Sequence, residues 1–313
     1  MMPTGLAGRH ILFSGRFAMI SNPHGTRLPD RAGVGFKGAH ADDVIGMPKQ
    51  VSWFEIHPEN YMVSGGPRLA VLEALRADYP ISMHGVGLSL GSGERLDPHH
   101  LADLKRLVDR FEPAMLSEHI AWSSHDGLYM ADLLPTPMTQ ISLDQLVEAI
   151  DEVQTATGRK ILIENPTSYL ALPQNSIPEI DFITEAARRS GCGLLIDVNN
   201  IYISACNLGF DASDYVDAIP GDLIGEIHLA GHEADANSNE KVLIDTHSRP
   251  VADPVWDLFD CLIARIGARP TLIEWDNDVP DWATLRAEAA LADLHLEGRP
   301  QRFSGADPVR AAS

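Results

Sequence analysis

The chain has 313 residues, 44% of them hydrophobic and 22% charged, which suits a globular protein with a large core rather than a disordered or fibrous one. Lys and Arg number 24 against 44 Asp and Glu, a formal net charge of -20 that argues against nucleic acid, because phosphate binding draws on cationic side chains. Arg16 interrupts the apolar residues 11–20, so no membrane span or signal peptide is expected there, and Cys192, Cys206 and Cys261 form no CxxC pair and read as buried thiols of a cytoplasmic protein.

Residues 1–30 mix Gly, Pro, Ser and Arg without a sustained period and are expected to be poorly ordered, as is the tail 298–313. Between them, residues 31–297 alternate between two patterns. Short apolar runs at 33–37, 51–56, 81–83, 114–116, 160–163, 193–196, 224–227 and 271–273 are bounded by Gly, Pro, Asn or Asp, as buried parallel strands are. Amphipathic helices are predicted over 68–78, 99–111, 143–157, 177–190, 212–219, 254–266 and 282–296. Asp97-Pro98, Ser142, Asp253-Pro254 and Asp281 supply capping side chains or first-turn prolines at helix starts. The repeated alternation predicts an α/β protein, a single (β/α)8 TIM barrel. An open doubly wound sheet is the rival, but neither a GxGxxG after the first strand nor a GxxxxGK[ST] supports it.

Every run but the first ends in residues able to hold metal: His57 and Glu59, His84, Glu118 and His119, Glu164 and Asn165, Asp197 and Asn200, His228 and His232, and Glu274 and Asp276. Parallel barrel strands point one way, so such endings converge on the C-terminal mouth although they lie far apart in sequence. Glu118 is preferred over His119 as the ligand of its pair, since adjacent strand residues face opposite ways, and Asp276 is assigned to the solvated loop. Asp245 and His247 lie in a long aperiodic stretch, 233–251, read as a loop closing over the mouth. The set exceeds what one four- to six-coordinate ion uses. Its imidazole and oxygen donors, without thiolate, suit iron, manganese or zinc.

The ordered motifs EIHPENYM (55–62), ISMHGVGLSLG (81–91), LSEHIAW (116–122), ILIENPTSY (161–169), LLIDVNNIYIS (194–204), EIHLAGH (226–232), DTHSRPV (245–251) and LIEWDNDVP (272–280) resemble the multinuclear non-haem iron-dependent oxidative enzymes, the family of the methanobactin biosynthesis oxidase. The resemblance implies two or three iron ions of mixed Fe(II)/Fe(III) state and O2 as co-substrate. The substrate it implies is a cysteine of a ribosomally made precursor peptide, converted to oxazolone, thiooxazole or thioamide groups with a partner protein's help. Carried over, His57, His84 and Glu118 would hold one iron, with Glu118 a possible bridge. Glu164, Asn165, Asp197, Asn200, His228, Asp245, His247 and Glu274 would complete the sphere, and Asp245 or His247 would move protons. The alternatives are a zinc or manganese barrel of the xylose-isomerase-like type, as isomerase or as an endonuclease IV-like hydrolase, and a non-catalytic metal-binding protein.

Overall fold

A computed structural model describes residues 27–236 and 242–299. The chain ends at 1–26 and 300–313, expected above to be poorly ordered, lie outside the described residues. The elements begin with β1 (Ala32–Gly35), α1 (Ala41–Val44), β2 (Phe54–Ile56), α2 (Pro67–Asp78), β3 (Ile81–Gly85), α3 (Pro98–Phe111) and β4 (Met115–His119). A hairpin, β5 (Ala121–His125) and β6 (Leu128–Pro135), precedes α4 (Gln140–Thr157), β7 (Leu162–Glu164), α5 (Glu179–Ser190) and β8 (Gly193–Asp197). There follow α6 (Val198–Leu208), α7 (Ala212–Ala218), β9 (Ile224–Ala230), the pair β10 (Glu233–Ala234) and β11 (Leu243–Ile244), α8 (Asp253–Ile266), β12 (Thr271–Glu274) and α9 (Trp282–Leu296).

β1, β12, β9, β8, β7, β4, β3 and β2 pair in that order, all parallel, and close into a barrel. Period-two alternation divides each strand between two environments. Phe54, Ile81, Met83, Leu116, Ile163, Ile196, Ile227 and Ile273 join the helices in one core. Phe54 shows the pattern, its ring lying edge-on to Tyr79 at 4.9 Å and stacked near Trp282 at 6.1 Å.

The opposite parity fills the lumen, which changes character along its axis. Its floor is apolar: Trp53 and Leu272 pack with Leu28, and Gly33 is glycine because a Cβ there would lie 2.3 Å from the Trp53 ring. Leu162 needs the same room, a Cβ at Gly193 or Gly225 approaching it to 2.6 and 2.7 Å. The β8–β9 register slips between Leu194 and Leu195, so Gly225 is an extra residue on β9 ahead of Glu226. Above the floor the lumen is polar.

Several local features differ from the sequence reading. Asp97, Asp211 and Asp281 cap their helices through side chains, but α4 is capped by Thr139 rather than Ser142, and α8 starts at Asp253 without a side-chain cap. No helix is predicted over 198–208, yet α6 starts directly off β8 with Asp197 as its cap. Nor was the β5–β6 hairpin expected; β6 is exposed along nearly its whole length, Leu128 and Tyr129 each to 71%. Of the cysteines, Cys192 is buried as expected, whereas Cys206 and Cys261 are exposed on helices.

Candidate metal centre

The polar layer at the C-terminal mouth gathers overlapping groups of side chains whose ligand atoms lie within 4.8 Å of one another. One comprises His84, His119 and Glu164; a second Glu164, Asp197 and His228; a third Glu55, Glu226 and His228; a fourth His57, Glu274 and Asp276. Neighbouring groups share Glu164 and His228. Glu164 Oε2 lies 3.1 Å from His84 Nε2 and 3.0 Å from His119 Nε2, while Glu164 Oε1 lies 3.9 Å from His228 Nδ1. On its other side His228 places Nε2 3.4 Å from Glu55 Oε2 and Nδ1 3.1 Å from Glu274 Oε2.

Glu55 Oε2, Glu164 Oε2, Asp197 Oδ2, Glu226 Oε1, His228 Nε2 and His247 Nε2 are all buried without a hydrogen bond. Each such atom buried alone would cost on the order of 1–3 kcal/mol, more when charged. They converge on common centres without hydrogen-bond geometry between them, and the donor set is imidazole and carboxylate. The residues therefore fit metal ions.

The charge pattern without metal is that of protons standing in for cations. Burial opposes charge on His84, but Glu164 beside it lifts the imidazole to about 9. Burial likewise opposes charge on Glu164, and His119 and His84 outweigh it, holding the carboxyl at about 2. Asp197 is pushed well above the usual carboxylate range by burial and by Glu164, Asp245 and Glu274. Burial raises Glu226 to about 7, despite His228. Against their burial, His228 is lifted well above its ordinary value by Glu55 and Glu274, and His247 by Glu274 and Asp245. Ligands must shed protons to bind metal, so metal binding here would release protons.

Individual sequence expectations fare differently. His57, His84, Glu164, Asp197, His228 and Glu274 all face the cluster. Glu118 does not. It alternates with His119 on β4, and its carboxylate packs where a Cβ on Gly85 would be, 2.2 Å away, with Oε1 accepting from the His119 amide. Burial and Glu59 raise its carboxyl to about 8. His119 takes the inward place, beside Glu164.

Asn165 spends its amide on β8, donating to Asp197 O at 3.0 Å and accepting from Asp197 N at 2.8 Å, so it positions Asp197. Asn200 donates to Glu164 Oε1 at 3.4 Å and to Asn165 O at 3.1 Å. Asp276 is not a solvated loop residue; it lies 3.6 Å from His57 and pairs with Lys37. Glu59 leaves the strand alternation because Pro58 opens a short 3-10 turn, and it accepts from the Val86 amide instead. Glu55 and Glu226, absent from the predicted set, share strand parity with His57 and His228, and that parity was the available signal.

Asp245 and His247 do come from a loop over the mouth. His247 Nε2 lies 2.8 Å from Asp245 Oδ1 and its Nδ1 3.5 Å from Glu274 Oε1. Asn199 Nδ2 and Thr167 Oγ1 each donate to Asp245 at 2.8 Å. The loop backbone is pinned, His247 N donating to Gly231 O and His247 O accepting from Asp276 N and Asn277 N. His247 adopts φ 46°, which a non-glycine residue rarely does without such enforcement.

Comparison with known proteins places this geometry in context. A UPF0276 protein of Caulobacter vibrioides strain NA1000 is 54% identical over 257 residues, 82% of this chain and 91% of its own length. One from Chromobacterium violaceum is 46% identical over 277 residues, 88% and 99% of the two chains. Among solved structures, L-ribulose 3-epimerase matches with TM-score 0.56 at 14% identity over 86% of this chain and 95% of its own. Endonuclease IV from Thermus thermophilus matches with TM-score 0.54 at 14% identity over 86% and 99%. Those two likenesses establish the barrel fold alone. Residues 31–297 match the model of the RiPP precursor modification enzymes MbnB/TglH/ChrH, which act in making ribosomally synthesised, post-translationally modified peptides, and the chain belongs to that family.

Proposed function

We propose that this protein is a cytoplasmic, multinuclear iron oxidase that uses O2 to modify a cysteine of a ribosomally made precursor peptide, forming a heterocycle or thioamide with a helper protein's assistance. The observation that carries the reading is the sharing of Glu164 and His228 between adjacent ligand groups, since a carboxylate with two oxygens can serve two ions. Family membership supports the peptide substrate. Among the described residues no helix is long and apolar enough to cross a membrane.

His84, His119 and Glu164 would hold one ion, His57, Glu274 and Asp276 another, and Asp197, Glu55, Glu226 and His228 the space between. Iron held there would supply redox chemistry toward a thiolate and O2. The chain's own residues do the placing. Asn165 and Asn200 fix the Asp197 and Glu164 carboxylates, and the loop over the mouth limits water at the reacting cysteine. Asp245 and His247, 2.8 Å apart, would move protons at the reacting cysteine.

Metal analysis of protein purified without air, joined to mass spectrometry of a cysteine-bearing precursor encoded beside this gene, tests the proposal. More than one iron per chain and an O2-dependent mass change at a cysteine are expected. Zinc in place of iron, with an unchanged peptide, would sink it.

A further inference from the structure

β1 is the barrel strand whose end brings no metal-type donor, and its last residue, Gly35, brings no side chain at all. A Cβ there would make ordinary van der Waals contact with the Lys37 ammonium, at 3.5 Å. The space opens into a cleft of about 410 Å³ between β1 and β2. It is lined by His57, Glu274 and Asp276 of the candidate metal centre and by Lys37, Tyr61 and Arg68.

That distribution of charge is unusual for this molecule. The chain is strongly acidic, and the mouth is built of carboxylates and imidazoles, yet Lys37 and Arg68 both line the cleft. Lys37 is paired with Asp276, whose charge His57 and His247 also claim. Arg68 makes no ion pair among the described residues; it donates one hydrogen bond, to the Asn60 carbonyl at 3.3 Å, leaving most of its planar donor fork unused. It sits in the first turn of α2, where a cation is unfavourable by about 0.3–1 kcal/mol, so helix stability does not explain it.

We infer that Arg68, assisted by Lys37, forms a subsite for a substrate carboxylate and so sets which cysteine enters the metal centre. This rests on the proposed function and adds a specificity determinant to it. A guanidinium with a free fork matches a carboxylate with two parallel hydrogen bonds. The ligand class is a thiol with a carboxylate nearby, supplied either by a C-terminal cysteine or by an Asp or Glu beside the cysteine.

The test uses full-length, iron-loaded protein without O2 and calorimetric binding of three probes: N-acetylcysteine, N-acetylcysteinamide and N-acetyl-aspartyl-cysteinamide. At least one acid-bearing probe is expected to bind about 10-fold tighter than N-acetylcysteinamide. Tighter N-acetylcysteine assigns the carboxylate to the peptide C-terminus, and tighter aspartyl probe assigns it to a side chain. Arg68→Gln should bring the ratio to within about twofold with iron content unchanged, and Arg68→Lys should keep part of it. Equal binding of all three probes, or a ratio unmoved in Arg68→Gln, would overturn the inference. Propanoate binding, followed by ligand-observed NMR, reads the subsite without any thiol or metal. Loss of the propanoate signal in Arg68→Gln supports the subsite even if the oxidase reading fails, and equal signals from both proteins reject it.

Discussion

At the scale of single residues the centre turns on which of two neighbours faces inward. His119 points at Glu164 and Glu118 packs outward against Gly85, so the pair should separate cleanly on substitution. Glu118→Gln mimics the protonated carboxyl that burial favours, and metal content by mass spectrometry should stay near wild type. His119→Ala should lower affinity for one ion by about 10–100-fold, comparable with losing a supporting ligand contact. The opposite ranking would restore Glu118 as the ligand.

Glu179, which has no part in the proposed site, offers a pH test. Burial raises its carboxyl from 4.5 to about 7, against hydrogen bonds from Tyr215 at 2.8 Å and Ser168. Below pH 4.5 the group is protonated in both folded and unfolded chains and costs nothing. As pH rises from 4.5 to 7 the unfolded chain releases the proton first, so stability falls across that window and is level above it. Glu179→Gln should therefore gain on wild type between pH 4.5 and 7, reaching about 2 kcal/mol after allowance for partial exposure. Denaturant unfolding at pH 4.5 and 8 checks this, and a gap independent of pH would refute it.

Among the elements, the loop over the mouth depends on one close approach. A Cβ at Gly231 would lie 2.1 Å from the Arg249 carbonyl oxygen, and Gly231 O also accepts from His247 N. Gly231→Ala must displace the segment that carries Asp245 and His247. Peptide turnover should fall by at least about 100-fold, as small misplacements near reacting groups do. On the proposed function, iron bound at His84, His119 and Glu164 should persist. Retained turnover would mean that the loop is not part of the reacting geometry.

On the scale of the whole molecule, the barrel encloses groups that its own packing does not satisfy. Glu55, Glu164, Asp197, Glu226 and Glu274 are buried together at one end of a lumen whose other end is sealed by Trp53 and Leu272. Ions that bind the folded chain and not the unfolded one stabilise it by RT ln(1 + [ion]/Kd). Stripping metal with a chelator should lower Tm by at least about 5 °C, and calorimetry before and after iron restoration measures it. An unchanged Tm would indicate that protons alone hold the cluster.

Much of this was readable along the chain. Eight apolar runs, seven of them with polar endings, follow from parallel strands in a closed barrel, and the residues that terminate them are fixed by local pattern, so His84, Glu164, Asp197, His228 and Glu274 are legible as a shared mouth. Closure and strand phase are not local properties. Whether Glu118 or His119 points inward depends on the register β4 takes between β3 and β7, and Asp276 joins the site only because His57, Lys37 and His247 meet it from distant strands and loops. The sequence determined the fold class and the inventory of donors, since periodicity and residue type are written residue by residue. Tertiary structure decided which donors share an ion's position and where a cleft opens beside Gly35, because both depend on how the strands close around one axis.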